Sequence, residues 1–359
     1  MTDYLSQKIK IVSFIAIFFV LLQHAINFTG YIDPNSSFFG KATWNTIFQY
    51  VVGYGVSRIA VALFFLLSGY LFFRNFTLSR YFFKIRSRTH SLFVPYVVWS
   101  ALGLGFIFIL QSFPELTNYF SSLYTGRVIG QPFSYYVQSI LHHGVTFPLW
   151  FLADLILYTL LAPLFYIVLK FTSVGLVVPL FILWIFSIPL PPVFSFLYRG
   201  GFFYLLGAYV AISRVYLPSE NAKQMGIFAF LCWIILIVSK TCVAFGIFPS
   251  LWLTLRQLDN MTIAVGICAL WFGYDMIAKL RCLSTISLLT PFTFFIFVSH
   301  EPLLELVKRI GVDFVGRSEN ALFILYCGSI VVTLCITIGL GFLLRRFTSK
   351  LFVFLVGGR

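Results

Sequence analysis

Residues 8–28 read KIKIVSFIAIFFVLLQHAINF: two lysines, an apolar run that Ser13 interrupts once, and a Gln-His step near its end. A helix needs about 20 mostly apolar residues to cross the hydrocarbon core of a bilayer, and this stretch supplies them. A signal peptide is the competing reading. No small-x-small cleavage site follows and the run continues past His24, so the segment is read as an anchor that stays.

Working outward from it, nine further apolar runs bounded by charge, proline or glycine follow. The ten lie at 9–28, 49–73, 92–111, 148–169, 173–190, 200–216, 225–247, 259–277, 285–308 and 320–344. They predict an all-α, polytopic bundle of about ten spans, with residues 1–359 forming a single integral-membrane domain. Loops 29–48 and 112–147 are the long outer ones, and no run repeats strongly enough to suggest an inverted-repeat transporter.

Composition agrees. Hydrophobic residues make up 60% of the chain and charged ones only 10%, against about 25% charged in a soluble domain; the mean hydropathy is +0.95. That excludes an ordinary cytosolic enzyme. The net charge of +14 would suggest nucleic acid in a soluble chain, but sorting the cations by side gives another meaning. With the N-terminus inside, sixteen Lys and Arg face the cytoplasm and seven face outward, while Arg58 and Lys240 fall within spans. The positive-inside bias therefore predicts both termini cytoplasmic, and the charge no longer points to nucleic acid.

The six cysteines lie in or beside apolar runs without C-x-x-C spacing, which predicts neither a disulfide framework nor a metal site. Four glycosylation patterns, at Asn27, Asn35, Asn75 and Asn260, are what chance gives in a chain of this length.

Ionisable residues inside spans are costly and so are functional candidates. His24 lies about 22 Å along the first helix from Ile9, in apolar surroundings where a neutral imidazole can take up a proton; a histidine snorkelling to the interface is the bland alternative. Arg58, in YGVSRIAVALFF, either pairs with a carboxylate or binds an anionic group. His300-Glu301-Pro302 sits in the ninth run; residue 304 is Leu, so the pair is no zincin helix, and Pro302 is expected to break the helical ladder and free carbonyls. Asp154 opens the fourth run, placed to face His24 or a cation such as Arg58. His142-His143 precedes it and reads as surface. Residues 74–88 hold five cations (Arg74, Arg80, Lys84, Arg86, Arg88) among aromatics with no acid: an inner-leaflet anchor, or a clamp for the phosphates of a cytosolic ligand.

Taken together, FFLLSGYLFF (64–73), KIRSRTHSLFVPYVVW (84–99), PLWFLADLI (148–156), TFFIFVSHEPLL (293–304) and the histidine-bearing first run resemble the acyltransferase 3 family of integral-membrane O-acyltransferases. The resemblance covers residues 11–304 in order. It implies about ten helices with cytoplasmic termini in a bacterial inner membrane. It also implies transfer of an acyl group, most often acetyl, from cytosolic acyl-coenzyme A to a hydroxyl of a surface or lipid-linked glycan. By the same resemblance His24 matches the family's essential first-helix histidine, and Arg86 and Arg88, with Lys84 beside them, fall in its donor-associated basic segment. Two positions depart: Ser13 and Ala153 stand where the family usually has arginine, which bears on donor chemistry more than on fold.

The expected chemistry has His24 as general base toward the acceptor hydroxyl. Arg58 or His300 would stabilise the oxyanion, Asp154 or Glu301 would orient an imidazole, and Lys84, Arg86 and Arg88 would hold acetyl-coenzyme A; no metal is called for. A glycan flippase or transporter, a polyprenyl-phosphate glycosyltransferase, for which the first outer loop offers only Asp33, and a catalytically degenerate glycan-binding relative are the competing classes.

Overall fold

A computed structural model gives the structure of residues 2–27, 42–113, 127–141, 147–214 and 222–358, and every regular element among these is helical. The reason is elementary. Hydrocarbon offers the backbone no hydrogen-bond partners, so long apolar runs must satisfy their N–H and C=O groups internally.

The helices are α1 (Asp3–His24), α2 (Trp44–Gln49), α3 (Ile59–Phe73), α4 (Tyr81–Arg88), α5 (Val94–Gln111), α6 (Phe133–Leu141), α7 (Trp150–Leu160), α8 (Ala162–Thr172), α9 (Val174–Ile185), α10 (Phe202–Ile212), α11 (Ala222–Ala244), α12 (Leu255–Ile277), α13 (Cys282–Leu289), α14 (Thr293–Val315), α15 (Glu319–Phe347) and α16 (Ser349–Leu355). π-helical stretches at Tyr50–Val56 and Thr89–Phe93 join α2 to α3 and α4 to α5.

Each of the ten apolar runs carries helix. Seven segments, beginning with α1 and ending with α15, are long and apolar enough to cross a membrane; α7 and α8 make an eighth only if taken together across the break between them. Helices α9 and α10, of 12 and 11 residues, reach about 18 and 17 Å, short of the roughly 30 Å core. The outward faces are themselves apolar: on α15, Val331, Val332, Leu340 and Phe342 are all exposed. Lipid, not water, suits such a surface.

The residues group into two compact units interleaved along the sequence. The first comprises Met1–Thr77, Pro163–Thr290 and Val315–Cys327; the second comprises Leu78–Ala162, Pro291–Phe314 and Gly328–Arg359.

In the first unit, α3 and α10 meet backbone to backbone. A Cβ on Gly69 would lie 2.1 Å from the Tyr204 carbonyl oxygen, and one on Gly207 would lie 2.0 Å from that of Leu66. Association within lipid depends on such close approach, because burial from water contributes little there. At the start of α1 the Thr2 side chain accepts from Leu5 N–H, capping the helix. Lys8, buried in the next turns, donates to both carboxylate oxygens of Asp275 on α12 at 2.8 and 2.7 Å and lies 4.3 Å from the Trp271 ring centroid. A lysine read from sequence as a flanking cation thus serves as an internal pin.

In the second unit, Trp99 on α5 donates to the Leu355 carbonyl at 3.0 Å and packs edge-on against Phe295, which also meets Phe352 of α16. Tyr81 of α4 donates to the Leu160 carbonyl at the end of α7. Gly357 closes this end for two reasons: its φ is +69°, and a Cβ there would lie 2.8 Å from the Cα of Ser91.

Candidate active-site residues

His24 is the last residue of α1 and is half-buried. A basic side chain in the final turn suits the negative end of the helix dipole. Just beyond it the chain is held by amides. Gln49, fully buried at the end of α2, accepts from the Asn27 N–H at 3.1 Å and donates to the side-chain oxygens of Asn27 at 2.9 Å and Asn45 at 3.0 Å. Asn27 donates to the Leu322 carbonyl, and the Tyr326 hydroxyl to that of Leu22. The π-helical stretch packs directly on this end, since a Cβ on Gly53 would fall 2.4 Å from Ile26.

The same unit holds Arg58, the first residue past that stretch and its cap. Its Nη2 and Nε donate to Asp259 Oδ2 at 2.8 and 3.3 Å, while Lys240, 3% exposed, donates to Asp259 Oδ1 and to the Tyr54 carbonyl. Two cations therefore share one carboxylate inside the bundle. The acid that meets Arg58 is Asp259, which the sequence reading had not singled out.

The second unit holds the other inward groups. His300 and Glu301 lie on α14 and are 0% and 3% exposed; Asp154, on α7, is 8% exposed. As expected from Pro302, the helix is interrupted at Glu301, whose φ of −105° and ψ of 134° are extended. His300 Nδ1 lies 2.8 Å from the Phe297 carbonyl and 3.1 Å from that of Ile296. Carbonyls only accept, so the neutral ring carries its proton on Nδ1 and its lone pair on Nε2. Nε2 can then take up a proton when the ring is neutral or donate one when it is charged. One and two turns on, Glu305 holds Lys308 at 2.6 Å and Arg309 at 2.8 Å.

The basic segment divides by face. On α4, Tyr81, Lys84, Ile85 and Arg88 are half-buried, whereas Arg86 is exposed beside Phe82 and Phe83, which are 79% and 78% exposed. Lys84 and Arg88, four residues apart, share one side of the helix. The segment thus presents two cations on one side of α4 and a third, Arg86, on another side beside two exposed aromatics.

A family model described as an acyltransferase domain, Acyl_transf_3, matches residues 8–342. The chain belongs to the acyltransferase 3 family. Among curated proteins it resembles the succinoglycan biosynthesis protein ExoH of Rhizobium meliloti (strain 1021), at 25% identity over 337 residues, covering 89% of this chain and 84% of that protein. No solved structure matches it. The chain is thus an integral-membrane member of an acyltransferase family, built from helices.

Within this acyltransferase 3 chain, the structure assigns His24 and Arg58 to the first unit and Asp154, His300, Glu301, Lys84, Arg86 and Arg88 to the second. Ser13 and Ala153, the departures from the family pattern, are both half-buried. In the sequence Lys240 stands as a cation within a span with no evident role, and Asp259 is the first residue of its own run. Treating a carboxylate at a span edge as part of the span marks both as intramembrane charges in need of partners. Asn260 donates to the Trp184 carbonyl at 2.7 Å and to Ser187 Oγ at 2.9 Å within a helix, so it is a packing residue and no glycan acceptor. His142-His143, Asp33 and the Asn35 pattern lie outside the described residues. Among the described residues no group of three or more His, Cys, Asp or Glu is placed to hold a metal.

Proposed function

We propose that this protein transfers an acetyl or other short acyl group from cytosolic acyl-coenzyme A to a hydroxyl of a surface or lipid-linked glycan, with His24 as general base. The observation that carries this reading is a histidine closing the first helix of a chain whose family match runs from residue 8 to residue 342. The likeness to a succinoglycan biosynthesis protein supports a polysaccharide acceptor. We place the protein in a bacterial inner membrane with about ten membrane-embedded segments, of which α9 and α10 are too short to cross as helix alone, and both termini in the cytoplasm, on the sixteen-to-seven asymmetry of its cations.

In this reading Lys84 and Arg88 hold the donor's phosphates at the inner face, and the donor supplies an activated thioester. An imidazole nitrogen of His24 takes the proton from the acceptor hydroxyl as its oxygen bonds to the thioester carbon. The carbon–sulfur bond breaks, the thiolate leaves, and the imidazolium returns its proton to that sulfur. His300, through Nε2, and the carboxylates of Asp154 and Glu301 serve proton handling and orientation in the second unit.

The test follows labelled acetyl-coenzyme A in membranes containing the protein. Label recovered covalently in a glycan supports the reading; translocation of glycan with no covalent change replaces it with transport.

A further inference from the structure

Arg58, Lys240 and Asp259 carry a formal excess of one positive charge, and the two cations are not equivalent. Lys240 is almost wholly buried. Its ammonium is engaged by Asp259 Oδ1 and the Tyr54 carbonyl and lies 5.6 Å from the ring centroid of Tyr50. Arg58 gives Asp259 only one edge of its guanidinium, Nε with Nη2. The other edge, Nη1 with the second Nη2 proton, points elsewhere. The Arg58 side chain is 37% accessible, against 4% for that of Lys240, so of the two cations it is Arg58 that a ligand can reach.

A guanidinium fixed along one edge and open along the other presents two parallel N–H groups with almost no conformational freedom left to lose. Phosphate and carboxylate oxygens match that fork. A neighbouring ammonium already committed to the shared carboxylate keeps the cluster's charge positive, so the site selects an anion and rejects a second cation. The arrangement is also ordered from three separate parts of the fold: the end of the π-helical stretch, the last turns of α11 and the first turns of α12.

We propose that the outer edge of Arg58 binds an oxyanion, a phosphate or carboxylate presented by a ligand at the outer half of the membrane, with Asp259 and Lys240 as positioning residues. The side of the membrane rests on the topology proposed above. The group comes either from the soluble glycan acceptor or from a lipid headgroup, and the two share this chemistry.

The full-length protein in phosphatidylcholine nanodiscs is titrated calorimetrically with inorganic pyrophosphate and with glucuronate, and its thermal unfolding is compared with that in nanodiscs containing phosphatidylglycerol. In the Lys84→Gln/Arg88→Gln background, which removes the proposed donor-phosphate pair, binding of either soluble probe that Arg58→Lys weakens about tenfold, keeping the charge and losing the fork, supports the site and a soluble source. Stabilisation by phosphatidylglycerol alone, lost in Arg58→Lys, supports the site with a headgroup as source. Equal binding with and without Arg58→Lys in that background, or no response to any of the three anions, overturns it. Binding is read without turnover, so failure of the acyltransferase reading shows separately, as absent acyl transfer with anion binding intact.

Discussion

Gly207 of α10 stands where any side chain would strike the carbonyl oxygen of Leu66 on α3: a Cβ there would lie 2.0 Å from it. Backbone cannot move aside as a side-chain tip can. Gly207→Ala is therefore expected to cost at least the roughly 1–3 kcal/mol of an overpacked core, read as lost monodisperse protein or a lower unfolding temperature in detergent. Gly328→Ala is the control, since a Cβ there meets nothing within 4 Å; equal behaviour of the two variants would refute the close-contact account.

Asp259→Asn should be far worse than Asp259→Glu. Removing the carboxylate leaves Arg58 and the buried Lys240 side by side, and an uncompensated buried charge costs about 3–5 kcal/mol. Thermal unfolding of the three proteins measures it, and a neutral Asp259→Asn would show that the cluster is solvated.

These two variants mark what the sequence made legible. Apolar runs located the helices, because the lipid requirement acts on every residue of a span. Pro302 announced the break in α14, because a ring without an N–H acts locally. The partner of Arg58 was hidden. It lies 201 positions away, and no local pattern encodes which helices adjoin. The division of the basic segment was half hidden: helical spacing sets Lys84 and Arg88 on one side of α4 and Arg86 on another, but which side is covered depends on where α4 lies against its neighbours.

That division gives a prediction of its own. Lys84→Gln/Arg88→Gln should weaken coenzyme A binding about tenfold or more, each charge-assisted bond being worth roughly 1.5–3 kcal/mol, whereas Arg86→Gln should leave it within about twofold. Calorimetric titration with coenzyme A decides, and a larger loss in Arg86→Gln would reverse the assignment of faces.

Gln49→Leu removes the amide that serves Asn27 and Asn45 at the end of α1. Leaving those buried groups unsatisfied is expected to cost about 1–3 kcal/mol and to lower kcat more than it raises KM, because His24 three residues earlier loses its fixed position. Gln49→Glu restores the acceptor toward the Asn27 N–H and should recover part of kcat; equal losses in both variants would assign Gln49 to packing alone.

The central claim is that His24 is the base of an acyl transfer. Its most direct test is mass spectrometry of the surface glycans of cells carrying the natural chain or His24→Ala, with both proteins verified as inserted in membranes at equal amounts. The account predicts an acyl-bearing glycan with the natural chain and none with His24→Ala. Undiminished acylation with the variant would contradict it.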